Sequence, residues 1–241
     1  MGLTGRKHVR MKRIAILQSN YIPWKGYFDI INSVDEFVIY DDAQYTRRDW
    51  RNRNIIKTKN GPKWITVPVE VKGKFKQKIR ETRIADRNWA LKHWELIKRN
   101  YSNAPYFLDY ADLFELTYNQ SMKLKFLSDV NKLFINVINS ILGITTIITD
   151  TSDFRMEGNK TEKIISICKQ ANADIYVTGP TAINYINEKL FSEAQIFIKW
   201  ANYKGYPEYE QGYPPFEHAV SIIDVIFNCG NSSTLKMKSF I

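Results

Sequence analysis

The sequence predicts an α/β fold: a Rossmann-like open, mainly parallel sheet with helices on both faces, plus an appended basic β segment and a helical region. Three observations predict it. Short apolar, strand-like runs alternate with helix-like runs, the pattern of a parallel sheet covered on both faces. The second half of the chain repeats the strand–helix–strand logic of the first. The loops leaving the strand-like runs carry rings, prolines and glycines, as expected where strands end at a ligand crevice.

Ile14–Leu17 reads as the first strand, Tyr27–Ser33 as a helix after Gly26, and Phe37–Tyr40 as a second strand that exits at Asp41 and Asp42. Trp64–Val69 alternates and contains Pro68, which suggests an edge strand in a hairpin or insertion. From Trp89 the chain turns helical, with Trp89, His93, Leu96 and Ile97 on one face and Pro105 as the interruption. Leu124, Leu127, Val130, Leu133, Phe134, Val137, Ile138 and Ile141 form a core-facing helical stripe that ends at Gly143. Ile144–Thr149 reads as a strand, Lys160–Gln170 as a helix with Ser152, Asp153 and Asn159 available for caps, and Asp174–Thr178 as a buried strand. Gly179-Pro180-Thr181 then leads into a short helix holding Tyr185, and Ile196–Lys199 is the last clear strand. Residues 1–11 read as a disordered basic extension, and 12–241 as one α/β domain with a β insertion over 45–80 and a helical region over 87–142.

The chain of 241 residues is 44% hydrophobic, enough to bury a substantial core. It has no run of roughly 20 apolar residues and no secretory apolar segment, so a cytoplasmic protein without a membrane span is expected. Cys168 and Cys229 have no ligand spacing, which predicts buried, reduced thiols and no metal site. The net charge of +10 is focused: residues 47–87 hold 14 Lys/Arg against 4 Asp/Glu. A basic face beside a pocket attracts polyanions such as a nucleotide diphosphate, a CoA pyrophosphate or tRNA.

Gln18, Tyr21, Trp24 and Gly26 lie in the loop leaving the first strand and make it the first candidate active site. Asp41 and Asp42 are adjacent, so in extended backbone one faces the crevice and the other faces away. The carboxylate in the crevice suits a sugar hydroxyl, a metal, or general-base work on an amine; an ion pair with Arg47, Arg48 or Arg51 is the structural alternative. Gln44, Tyr45, Trp50, Arg53 and Asn54 combine rings, amides and a guanidinium fork, which suit sugar faces and phosphates. His218 stands in a loop rich in rings and prolines, without a serine or cysteine partner at triad spacing, and reads as structural or substrate-contacting. There is no GxxxxGK[ST] and no GxGxxG, so the standard nucleotide-binding fingerprints are missing.

The segments Ile14–Val69, Asn159–Pro180 with Tyr185, and Tyr209–Gly230 together resemble the WbqC-like family, and the likeness spans Lys12 to Asn231. Members usually read Gln-Pro-x-Tyr-x-Pro-Trp at the first loop; Ser19 stands here in place of the proline. The resemblance implies a cytoplasmic enzyme of bacterial O-antigen or other surface-polysaccharide biosynthesis that acts on a nucleotide-linked amino sugar. It places the family motif at Gln18, Tyr21, Trp24, Gly26, Asp41, Asp42, Gln44, Tyr45, Trp50, Arg53, Asn54, Gly179, Tyr185 and Gln211. The expected reaction is acyl or aminoacyl transfer to the amino group by direct attack, with Asp41 or Asp42 as base, Gln18 or a loop N–H at the oxyanion, and Arg53 with neighbouring bases on phosphate. Acyl-CoA, aminoacyl-tRNA or ATP are the candidate donors or activators. A non-catalytic protein that binds RNA or an anionic glycan, and an adenylate-forming ligase lacking the HxGH signature, are the alternatives.

Overall fold

The computed structural model describes residues 10–240; most of the expected basic extension, residues 1–9, lies outside them. The chain runs β1 (Arg13–Leu17), α1 (Lys25–Asn32), β2 (Glu36–Ile39), β3 (Arg53–Thr58), β4 (Gly61–Thr66), α2 (Trp89–Tyr101), α3 (Phe107–Ser121) and α4 (Leu127–Leu142). It continues through β5 (Ile147–Asp150), α5 (Lys160–Gln170), β6 (Ile175–Thr178), α6 (Glu188–Glu193), β7 (Phe197–Trp200) and α7 (Ile222–Cys229). The α/β expectation holds. Five strands form an all-parallel sheet in the order β5-β2-β1-β6-β7, and β3 and β4 form a separate antiparallel hairpin.

Alternation along each central strand divides the core between two faces. Ala15, Phe37, Ile39 and Val177 pack with α1, α2, α4 and α7, while Ile14, Ile16, Val38 and Tyr176 pack with α5 and α6. Helices therefore cover both sides, and the central strands read as continuous apolar runs because neither face meets water. The strand order reverses between β1 and β6, which leave the sheet side by side, so the loops after them diverge and leave a crevice at the carboxyl ends.

Adjacent parallel strands β2 and β5 are separated by residues 40–146, and this whole span, hairpin and α2–α4 included, issues from the carboxyl end of β2. The insertion is thereby placed over the crevice. α4 follows the stripe read from the sequence, with Val130, Phe134 and Ile138 fully buried, and ends at Gly143, whose φ of 67° puts it in the left-handed region that glycine tolerates. α5 starts at Asn159, whose side chain accepts from the backbone N–H groups of Thr161 and Glu162.

Several elements differ from the sequence reading: α7 was not read as a helix, and Tyr185, expected within a short helix, lies between the turn Pro180–Asn184 and α6. The strand expected at Trp64–Val69 is β4, which ends at Thr66 and leaves Pro68 outside the ladder; its partner β3 was not foreseen. The helix α3 falls inside the helical region expected over 87–142, but its bounds were not read from the sequence. Its apolar residues do not keep to one stripe, since Phe107, Phe114 and Tyr118 are buried while Leu108 and Leu116 are exposed.

Candidate functional site

The loop after β1 is held from four directions. Ser19 donates from its N–H to Asp41 Oδ1 (2.9 Å) and from its hydroxyl to Asp41 Oδ2 (2.7 Å). Asn54 donates to the carbonyls of Tyr21 (3.0 Å) and Ile22 (2.9 Å), and the Ser221 hydroxyl donates to Ile22 O (2.7 Å). The Tyr21 N–H donates to Trp50 O at 3.2 Å. Ile22 sits at φ 34°, a costly conformation for a β-branched residue, and the two donors on its carbonyl help to hold it there. The serine in place of proline at residue 19 thus supplies both an N–H and a hydroxyl that a proline would lack.

Beside this loop lies a cavity of about 310 Å³ lined by Asn20, Pro23, Trp24, Trp50, Asn54, His218 and Ala219. The Trp24 ring lies across Gly26, where any Cβ would collide with it, and meets Tyr203 edge-on (5.1 Å between centroids). Gly179 approaches the same Tyr203, so the loops after β1 and β6 both meet the segment that follows β7. His218 Nε2 is 3.8 Å from Glu208 Oε1.

Arg51 stands behind Asn20. Its Nη1 donates to Asn20 Oδ1 and, at 3.5 Å, to Gln18 O. Its Nε is buried without a hydrogen-bond partner, and the Asp49 carboxylate is 3.7 Å away. Among the described residues no acceptor meets Nη2. Burial lowers the guanidinium pKa, opposed by the charges of Asp49 and other acidic groups, and Tyr185 lies within electrostatic reach of it. A guanidinium desolvated to this degree and short of acceptors is suited to receive an anion.

The expected site residues divide into groups. Trp24, Trp50 and Asn54 line the cavity; Gly26 lies under the Trp24 ring, Gly179 approaches Tyr203, the Gln18 carbonyl meets Arg51, and Tyr185 is within electrostatic reach of Arg51. Tyr21 is instead a core residue, fully buried with its hydroxyl 2.9 Å from both His93 Nδ1 and Tyr118 Oη. Asp41 is fully buried, and Ser128 Oγ donates to its carboxylate alongside the two Ser19 donors. Asp42 pairs with Lys78 and Arg80, both at 2.8 Å, and accepts from Thr151 Oγ1; its pKa is lowered, the ionic and hydroxyl partners outweighing the opposing effect of burial. Both carboxylates therefore have partners within the protein, and neither lines the cavity. Gln44 donates to Phe75 O (2.7 Å), Tyr45 is buried, and Arg53 lies 4.0 Å from the centroid of the Trp64 ring.

Gln211 lies in a different cavity of about 300 Å³ with Lys57, Tyr101 and Asp224. It donates to Asp224 Oδ1 (2.8 Å), and Lys57 Nζ donates to Gln211 Oε1 (3.3 Å). Burial raises the Asp224 pKa against the hydrogen bonds it accepts. Asn20 was not singled out from the sequence, and Arg51 was named only as an ion-pair partner for Asp41 or Asp42; it pairs instead with Asp49. Arg51 is one base among 14 in residues 47–87, and no local signal distinguishes the one that turns inward.

Among the described residues no group of three or more His, Cys, Asp or Glu side chains is placed to hold a metal, and no helix is long and apolar enough to cross a membrane. No solved structure matches the chain. It is 50% identical over 220 residues to the uncharacterized protein Rv1507c of Mycobacterium tuberculosis, covering 91% of this chain and 95% of that one. The WbqC-like protein family model matches residues 18–236, from the first crevice loop to beyond α7, and the chain belongs to the WbqC-like family.

Proposed function

We propose that the chain is an acyl- or aminoacyl-transferase that forms an amide on the amino group of a nucleotide-linked amino sugar, in bacterial surface-polysaccharide (O-antigen) biosynthesis. The observation that carries this reading is Arg51: a largely buried guanidinium at the carboxyl ends of the sheet, with its outer nitrogen lacking an acceptor, next to a cavity walled by Trp24 and Trp50. Phosphate is the natural occupant of such a fork, and indole rings suit the apolar faces of a sugar. A cavity of about 310 Å³ is at the small end of ligand pockets and accommodates a monosaccharide, with the diphosphate extending toward Arg51 and Tyr185.

In this reading His218 is the base. It faces the cavity with Glu208 beside it, and it takes the proton that the amine must lose as nitrogen bonds to the acyl carbon. The side-chain amide of Gln18 or Asn20 stabilises the oxyanion. Asp41 and Asp42 are positioning residues: Asp41 fixes Ser19 at the start of the loop, and Asp42 ties the insertion to the sheet through Lys78 and Arg80.

The test is thermal stabilisation by a panel of UDP-, dTDP- and GDP-linked sugars, with and without an amino group. One amino sugar is expected to raise Tm, Arg51→Ala to abolish the shift, and His218→Gln to keep the shift but lose turnover. If Arg51→Ala is stabilised as well as wild type, or no nucleotide sugar raises Tm, the reading is wrong. Pyrophosphate or ADP release during turnover would replace it with an ATP-dependent ligase.

A further inference from the structure

Next to the cavity, the hairpin and the segments on either side of it present exposed rings on a strongly basic surface. Trp50, Trp64 and Phe75 are 38%, 41% and 73% exposed, each a large ring left to water in a region dominated by Lys and Arg. Trp50 lies against Trp64 with centroids 4.9 Å apart, Arg53 covers Trp64 at 4.0 Å, and Arg47 lies 5.7 Å from the Phe75 centroid. Local carboxylates neutralise only part of the charge: Asp42 takes Lys78 and Arg80, and Glu70 takes Lys74. Arg47, Arg48, Lys63, Lys72 and Lys76 have no carboxylate partner among the described residues and all are exposed.

We infer that this face is a landing surface for the single-stranded 3′ end of an RNA, and that the acyl donor is an aminoacyl-tRNA. Unpaired cations track a phosphate backbone, and exposed rings backed by guanidinium groups stack on unpaired bases, the combination that single-strand binding requires. Duplex RNA offers phosphates but no free base faces, and a plain polyanion offers charge alone. Trp50 belongs both to this platform and to the cavity wall, so a strand stacked on Trp64 and Trp50 ends at the cavity mouth.

The chemistry rests on the transferase reading, whereas the binding does not. The amino-sugar nitrogen bonds to the carbonyl carbon of the aminoacyl ester and the ester C–O bond breaks. The nitrogen loses a proton to His218, and the released ribose oxygen takes one up, leaving a free RNA hydroxyl.

The experiment titrates the full chain with a short single-stranded RNA, with a tRNA acceptor minihelix carrying its unpaired end, with the same stem made blunt, and with heparin, over a range of salt. The two RNAs with unpaired ends are expected to bind more tightly than the blunt stem. Trp64→Ala should weaken them by about tenfold, with Trp64→Phe retaining most of the affinity. Replacing Lys63, Lys72 and Lys76 by Ala should lower the slope of log K against log salt by about 2, near 0.7 per phosphate contact. Melting curves of each variant separate loss of binding from loss of fold. Equal binding of all four probes, unaffected by Trp64→Ala, would mean a plain basic face and overturn the inference, as would no RNA binding at low salt. Nucleotide-sugar stabilisation that persists without RNA binding would sink this inference alone. Ring-dependent RNA binding with no response to any nucleotide sugar would instead remove the transferase and leave an RNA-binding protein.

Discussion

Asp41→Asn separates a residue that builds the crevice from one that performs its chemistry. The wild-type carboxylate is fully buried and accepts three hydrogen bonds: from the Ser19 N–H, the Ser19 hydroxyl and the Ser128 hydroxyl. Asparagine has almost the same shape. Its Oδ1 still accepts from the Ser19 N–H, but its Nδ2 brings hydrogens towards two hydroxyls that were themselves donating. Ser19 Oγ already accepts from Asn131 (2.9 Å), so it has little capacity for another donor. Two charge-assisted hydrogen bonds are thus lost or reversed at about 1.5–3 kcal/mol each, of which hydroxyl rotation recovers part. A net loss of about 3 kcal/mol is expected, which for a chain of this size lowers Tm by about 6–12 °C. The assay is thermal unfolding of wild type, Asp41→Asn and Asp41→Ala by circular dichroism, with Asp41→Ala melting lowest. If Asp41→Asn melts with the wild type and yet abolishes turnover, the carboxylate is the base and its assignment as a loop anchor is refuted.

Three further outcomes follow from buried groups. Burial lowers the His93 pKa from 6.5 to about 4, so the folded protein holds the ring neutral. Its contribution is complete above pH 6.5 and is lost as pH falls towards 4, up to about 3 kcal/mol, so acid unfolding monitored over that window should flatten in His93→Gln. Gly26→Ala should cost about 1–3 kcal/mol by driving a methyl group into the Trp24 ring, and should weaken cavity ligands because that ring is a wall; a variant with unchanged Tm and ligand binding would contradict the contact. Burial raises the Cys168 thiol to about 12 and that of Cys229 to about 11, so a disulfide reagent at mildly alkaline pH should label neither until the protein unfolds.

The elements readable from the sequence were those whose signal is local. α4 was legible because its apolar spacing of three and four ends at a glycine that adopts φ 67°, and α5 because Asn159 caps it; β1 and β6 were legible as short apolar runs buried on both faces. α3 was not, because exposed leucines (Leu108, Leu113 and Leu116) blur the stripe that its buried residues form. β3 was not, because its Lys57 is buried at 1% exposure, which only its bonds to Gln211 and Pro215, more than 150 residues away, make tolerable.

The sequence by itself determined the fold class, the family and the strand exits at which a crevice would open. It did so because hydrophobic period, caps and breakers act within a few residues. Only the tertiary structure decided which way each polar side chain points. Tyr21 enters the core because His93 and Tyr118 meet its hydroxyl, Asp41 turns inward because Ser19 and Ser128 supply its donors, and Gln211 belongs to another cavity. Arg51 becomes the desolvated guanidinium of the crevice only when Asn20 and Asp49 fold around it. The free energy of a buried polar group is set by partners distant in sequence, so residue type and local spacing alone do not determine its direction.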